Sequence, residues 1–390
     1  MPPPPLVVPA TALPAARLAR VVAASSGSGG AAPRRVRRGK PGFSRRSAIK
    51  KSFHQEQVVF STPVPADPTV AVIGGGASGL ACASALAARC VRSVVFDTGM
   101  HGLGGRMATR FVDGGEQLVF DHAAQFFTAS DERFQRLVDE WLDRGLLREW
   151  SGLIGELEAG GRFTPIPSST PRYIGVNGMR SLADAMLPET DMIKVVRPCW
   201  ISKLEPFNGL WHLFENEKPR GEYDAIVIAH NGKCANRLLS TSGLPLLTKQ
   251  MKRLELSSVW ALLAAFEDPL PIPHNDSRGV FEGAFVRDVD SLSWMGNNTR
   301  KLFPMQTGTP ECWTFFSTAA YGKRNKVPQI ANFFVSQGER SEEFAIGLHE
   351  NLNQVEGHDI GQFPGIDSQK PQVAQAQKPL VAQALLTPSI

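Results

Sequence analysis

The stretch Thr69-Val70-Ala71-Val72-Ile73-Gly74-Gly75-Gly76-Ala77-Ser78-Gly79 decides how this 390-residue sequence is read. Val70 to Ile73 is a short apolar run with β-branched residues, which predicts a strand buried on both faces in a parallel sheet. Gly74, Gly76 and Gly79 fill the pattern G-x-G-x-x-G. Leu80 to Arg89 (LACASALAAR) is rich in Ala and Leu and predicts a helix. Val91 to Phe96 predicts a second strand, ending at Asp97, 18 residues past Gly79. Strand, glycine turn, helix, strand and acid in that order make a dinucleotide-binding unit. Gly74 allows the tight turn, Gly76 lets a pyrophosphate approach the backbone, and Gly79 lets the helix pack on the strand. The free N–H groups of the helix N-terminus, with the Ser78 hydroxyl beside them, face the phosphates. Asp97 stands where a carboxylate accepts hydrogen bonds from a ribose.

The sequence continues TGMHGLGGRMATR from Thr98. Gly104-Gly105-Arg106 offers a second backbone nest and a guanidinium to the same pyrophosphate, and its likeness to the second glycine motif of amine-oxidase-type flavin enzymes implies FAD rather than NAD as the cofactor. With this second glycine motif the chain resembles the renalase-like branch of amine-oxidase-type FAD-dependent oxidoreductases, in particular plastid-targeted plant members. The resemblance runs from Thr69 to Lys326. It is carried further by Phe120 to Ala129 (FDHAAQFFTA), similar to a D-x-G-A-Q-[YF] segment, and by Tyr173 to Leu182 (YIGVNGMRSL). Tyr223 to Ala229 (YDAIVIA) resembles a later parallel strand, and Ile201 to Phe214 is strand-like.

The resemblance implies an α/β fold, with a Rossmann-like FAD-binding domain on a parallel sheet and a second, mostly antiparallel substrate domain. It implies FAD contacts at Gly74, Gly76, Ser78, Gly79, Asp97, Gly104, Gly105 and Arg106, with Gln125 and Phe126 near the flavin ring and the Ile201 backbone near the adenine. The activity implied is hydride transfer to flavin from a small amine or a reduced nicotinamide-like molecule. Two departures are visible. Ala123 stands where the wider pattern has Gly. No Gly-Asp dipeptide occurs anywhere in the sequence, whereas family members close with a Gly-Asp strand that holds the ribityl chain. The alternative reading is therefore a catalytically impaired dinucleotide-binding isoform that retains flavin poorly.

Composition bounds the rest. Residues 1–55 carry eleven Lys and Arg and no acid, so the formal charge of +5 becomes −6 over residues 56–390. An acid-free leader rich in Pro, Ala, Arg and Ser reads as an organelle transit peptide, chloroplast in preference to mitochondrion. With the basicity in that arm, no nucleic-acid partner is expected. No apolar run reaches the ~18 residues of a membrane helix, and no membrane partner is expected. The five cysteines are scattered, and neither they nor the eight histidines have a metal-ligand spacing, so no metal is expected. His122 reads either as an acid–base group or as a structural histidine bonded to backbone. Trp294 and Trp313 read as core, and Arg300-Lys301 as a solvated turn. The expected organisation is a leader at 1–55, a discontinuous FAD-binding domain at 66–130 and 172–243, a substrate domain at 131–171 and 244–327, and a low-complexity tail at 328–390. The tail contains QKPQVAQA (369–376) and QKPLVAQA (377–384) and is expected to form neither strand nor helix. A small-molecule substrate is expected, and the oligomeric state is left open.

Overall fold

The computed structural model describes residues 57–326, apart from 101, 114–116, 271, 273, 276–278 and 306–309, together with the strand at 381–388. The expected transit peptide lies outside the described residues. Strand β1 (Thr69–Ile73) is followed by helix α1 (Ala77–Ala87) and β2 (Arg92–Phe96). A hairpin of β3 (Thr109–Asp113) and β4 (Gln117–Asp121) leads to α2 (Glu132–Asp143). Next come β5 (Leu147–Glu149), β6 (Ile154–Glu158), β7 (Phe163–Pro165), β8 (Tyr173–Gly175), α3 (Met179–Ala185) and β9 (Ile193–Val196). A meander of β10 (Lys203–Phe207), β11 (Leu210–Glu215) and β12 (Lys218–Tyr223) precedes β13 (Ala225–Ile228), α4 (Gly232–Leu239) and α5 (Pro245–Met251). The remaining elements are β14 (Ser258–Phe266), β15 (His274–Asn275), β16 (Gly279–Val280), β17 (Gly283–Arg287), β18 (Leu292–Asn297), α6 (Asn298–Leu302), β19 (Glu311–Ser317), α7 (Ala319–Arg324) and β20 (Val381–Pro388).

Two sheets carry the architecture, and they match the expected class. The first is wholly parallel, in the order β13-β1-β2-β9, with Val72 beside Val95 on one side and Val227 on the other. Val70 to Ile73 are buried, as the apolar run requires. Small residues let α1 lie close to this sheet: Gly79 and Ala83 are buried, and a Cβ at Gly79 would overlap the Gly74 carbonyl. The second sheet runs β20-β14-β19-β18-β17-β6-β7 and is antiparallel except where β17 meets β6. The apolar run Trp260 to Phe266 is its β14, buried on both faces. Leu262 and Ala264 pack into a core with Trp313, Phe315 and Phe281. Leu263 and Ala265 pack on the opposite face against Leu118 and Phe120 of β4. Trp294 and Trp313 are core residues, as expected.

Two expectations need correction. Ile201 to Phe214 is two strands: Asn208 and Gly209 take positive φ (49° and 80°) and turn the chain into a hairpin. The end of the tail, residues 381–388, is a strand antiparallel to β14, pairing Leu385 with Ala261. Average composition hid it. Pro379 and Pro388 bracket the run rather than interrupt it, and proline is tolerated at the ends of an edge strand.

Trp313 is fully buried. Trp313→Ala should lower unfolding free energy by about 3–5 kcal/mol in a denaturant titration; a loss near zero would show that the core has been misplaced.

Candidate dinucleotide site

At the end of β1, Gly74 has φ +121°, and a Cβ there would lie 2.8 Å from the Ala229 carbonyl carbon just past β13. Glycine is required by both the conformation and the close approach. The turn is held by Asp97, buried at the tip of β2. Its Oδ1 accepts from Gly75 N at 3.1 Å and its Oδ2 from Gly99 N at 3.0 Å. The residue assigned to the ribose therefore also fixes the loop, leaving its remaining lone pairs for a ligand hydroxyl.

The second glycine motif docks onto the first. Gly104 N donates to Gly75 O at 2.8 Å, and Gly104 bridges Gly76 in parallel register. Gly104 and Gly105 have φ of +106° and +55°. A Cβ at Gly76 would meet nothing nearer than the Gly104 carbonyl oxygen at 3.9 Å, so the space above this position is open. No side chain caps the N-terminus of α1, and Ser78 is exposed in its first turn. Arg106 is exposed on the following 3-10 turn, and its side chain makes no hydrogen bond or ion pair among the described residues. Open backbone at Gly76, unclaimed N–H groups and an unpaired guanidinium fit the pyrophosphate of a dinucleotide.

The Arg106 carbonyl accepts from Ala124 N at 2.9 Å, which joins this cradle to the segment Asp121–Phe126. There Gln125 is buried. Its Nε2 donates to Asp121 O at 2.6 Å, and its Oε1 has no partner among the described residues. Phe126 packs its ring against Trp150 and Trp294, with the Arg172 guanidinium 5.8 Å from its centroid. His122 has the backbone bond that the structural reading requires: Nδ1–H donates to Ala108 O at 2.6 Å. Burial holds it below the usual histidine range, with Arg110 acting in the same direction.

Sequence reasoning missed the polar centre behind this segment. Asp121 is completely buried. Its Oδ1 accepts from Thr109 Oγ1 (2.6 Å) and Met179 N (2.9 Å), and its Oδ2 accepts from Lys301 Nζ (2.8 Å). Its backbone N–H donates to Asn298 Oδ1 and its carbonyl accepts from Thr314 Oγ1. Lys301 is thus not on a solvated turn. It lies on α6, 1% exposed, and also reaches Gln125 O at 3.3 Å. Arg148 bonds the Lys301 carbonyl. The available signal was Asn297, whose side chain caps α6 by accepting from Arg300 N. His230 was also unassigned. It follows β13 beside Gly74, its Nδ1 is buried without a partner among the described residues, and burial lowers its pKa.

Residues 72–141 match the NAD(P)-binding Rossmann-like domain family. Among solved structures, the chain is similar to a protein assigned as protoporphyrinogen oxidase from Exiguobacterium sp. 255-15, with TM-score 0.57, 13% identity, and coverage of 84% of this chain and 88% of that one. It is similar to the cyclohexylamine oxidase of Brevibacterium oxydans IH-35A, with TM-score 0.54, 13% identity, and coverage of 82% and 85%. It is also similar to a fatty acid isomerase from P. acnes, with TM-score 0.52, 10% identity, and coverage of 75% and 84%. Likeness at these identities establishes the fold: a Rossmann-like dinucleotide-binding sheet joined to a larger antiparallel one.

Removing Asp121 leaves a buried lysine uncompensated. Asp121→Ala should cost about 3–5 kcal/mol of stability in chemical denaturation, and Asp121→Ala with Lys301→Met should recover part of it; equal losses in both variants would contradict the pairing. His122 and His230 both have folded pKa values below the ordinary 6.5. The unfolded chain therefore binds more protons as pH falls through about 6.5, and stability contributed by the neutral rings is lost on the acid side of that value. His122→Asn should flatten the loss of unfolding free energy between about pH 7 and 5; an unchanged slope would show that this ring does not contribute.

Proposed function

We propose that this chain is an FAD-dependent oxidoreductase of the amine-oxidase, renalase-like type, acting on a small amine or a reduced nicotinamide-like substrate. The observation carrying the reading is the docking of Gly104-Gly105-Arg106 onto the Gly74–Gly79 turn, which makes one cradle from two glycine loops. A single G-x-G-x-x-G loop serves NAD as well as FAD; the second loop with its free Arg106 favours FAD. Asp97 would hold the ribose, the α1 N-terminus and Arg106 the pyrophosphate, and Gln125 with Phe126 the flavin ring. When bound, FAD supplies the two-electron acceptor that takes hydride from substrate and is reoxidised by O₂ or another acceptor. The protein's part is orientation and exclusion of water, which suits the apolar wall of Phe126, Trp150 and Trp294. The oxidase names among similar structures support this reading, although the isomerase among them carries different chemistry on the same fold. Import into a plastid, directed by residues 1–55, belongs to the same proposal.

One observation favours the second reading, an impaired dinucleotide-binding isoform. Among the described residues β13 is an edge strand, and all four of its residues are only half-buried, while β1 beside it is buried. The family's Gly-Asp sequence, which resemblance would place in a closing strand, does not occur in this chain. Purified chain with little bound flavin and no turnover on amines or reduced nicotinamides would select this reading.

Three variants test the site assignments by flavin fluorescence titration with parallel thermal melts. Gly76→Val should abolish FAD binding, because its methyl groups fill the open space above the turn. Arg106→Ala should weaken binding by about 1.5–3 kcal/mol, roughly 10- to 150-fold, with an unchanged melting temperature. Asp97→Asn should lower affinity and melting temperature together, because its carboxylate also anchors Gly75 and Gly99. A stable Asp97→Asn, or wild-type affinity in Gly76→Val, would contradict the assigned roles.

A further inference from the structure

Away from the cradle, residues 230–258 hold five cations, Lys233, Arg237, Lys249, Lys252 and Arg253, against one carboxylate, Glu255. All five cations are exposed, and none makes an ion pair among the described residues. This is unlike the body of the protein, where acids outnumber bases over residues 56–390. The same segment exposes apolar side chains: Leu246, Leu247, Leu254 and Leu256 are 38–61% exposed. The segment is anchored, since Leu254 and Met251 approach Gly232 at the start of α4. Arg237, near the other end of α4, lies over the exposed ring of Trp200.

We infer that this face, built from α4, α5 and residues 252–257, docks on an anionic lipid bilayer. Unpaired cations interspersed with exposed leucines match a surface that is negative at the headgroups and apolar just beneath them. An anionic bilayer accounts for both the cations and the exposed leucines. Each basic side chain near such a surface adds attraction that salt screens. The attachment proposed is peripheral; no helix among the described residues is long and apolar enough to cross a membrane. This revises the expectation that the chain has no membrane partner, and it does not depend on flavin binding.

The test is co-sedimentation of the full chain with vesicles of phosphatidylcholine alone and of phosphatidylcholine with phosphatidylglycerol. Variants are Lys249→Glu/Lys252→Glu/Arg253→Glu and Leu246→Ser/Leu247→Ser, with unchanged melting curves as the check on folding. The wild type should pellet at least five-fold more with the anionic vesicles and be released by high salt, and both variants should lose most of that binding. If both variants pellet as the wild type does, the binding belongs to the basic residues 1–55 and the proposal is overturned. It is equally overturned if the wild type ignores anionic vesicles. If only the charge-reversed variant is lost, the face is a site for a soluble polyanion and the bilayer assignment fails.

Discussion

One buried ion pair joins the β3–β4 hairpin of this protein to its large sheet. Asp121 ends β4 of the small hairpin, and Lys301 belongs to α6, between β18 and β19 of the large sheet. Both are about 1% exposed, 2.8 Å apart, and tied further by Thr109, Met179 N, Asn298 and Thr314. A buried charge pair of this kind is stabilising only if its remaining lone pairs and protons are satisfied. Here the partners come from four separate parts of the chain, β3, α3, α6 and β19, so the full set of bonds exists only when all four are in place. The pair therefore acts as a registration device. It fixes where the segment Asp121–Phe126 lies against the large sheet, and through the Arg106 carbonyl it fixes that segment against the cradle.

The cradle is built from backbone. Apart from Arg106, Ser78 and Asp97, its groups are N–H donors exposed by glycine and by the start of α1, which suits a ligand rich in phosphate oxygens. Side-chain chemistry enters on the other side, around Gln125, Phe126 and Trp150. One fold can carry different chemistry on different side chains, and the similar structures include both an oxidase and an isomerase.

The dinucleotide half was legible in the sequence because its constraints are local. Gly74, Gly76, Gly79 and Asp97 lie within one β-α-β unit, where Gly79 packs on Gly74 and Asp97 accepts from Gly75 and Gly99. The Asp121–Lys301 pair was not legible, because its partners are 180 positions apart and a lysine after Asn-Asn-Thr-Arg has the local look of a surface turn. His122 could be narrowed to two roles, but only the fold brought Ala108 O to its ring. The strand at 381–388 was obscured for a related reason: its pairing partner β14 lies more than a hundred residues earlier, and local proline content dominated the reading.

The central claim is that two glycine loops form one pyrophosphate site, and competition binding tests it most directly. FAD fluorescence is followed on titration into the purified chain, and ADP or riboflavin is then added. The account predicts saturable FAD binding that ADP displaces and riboflavin does not, with no binding in Gly76→Val. Displacement by riboflavin alone, or FAD binding unaltered in Gly76→Val, would show that the affinity does not come from the cradle and would contradict the account.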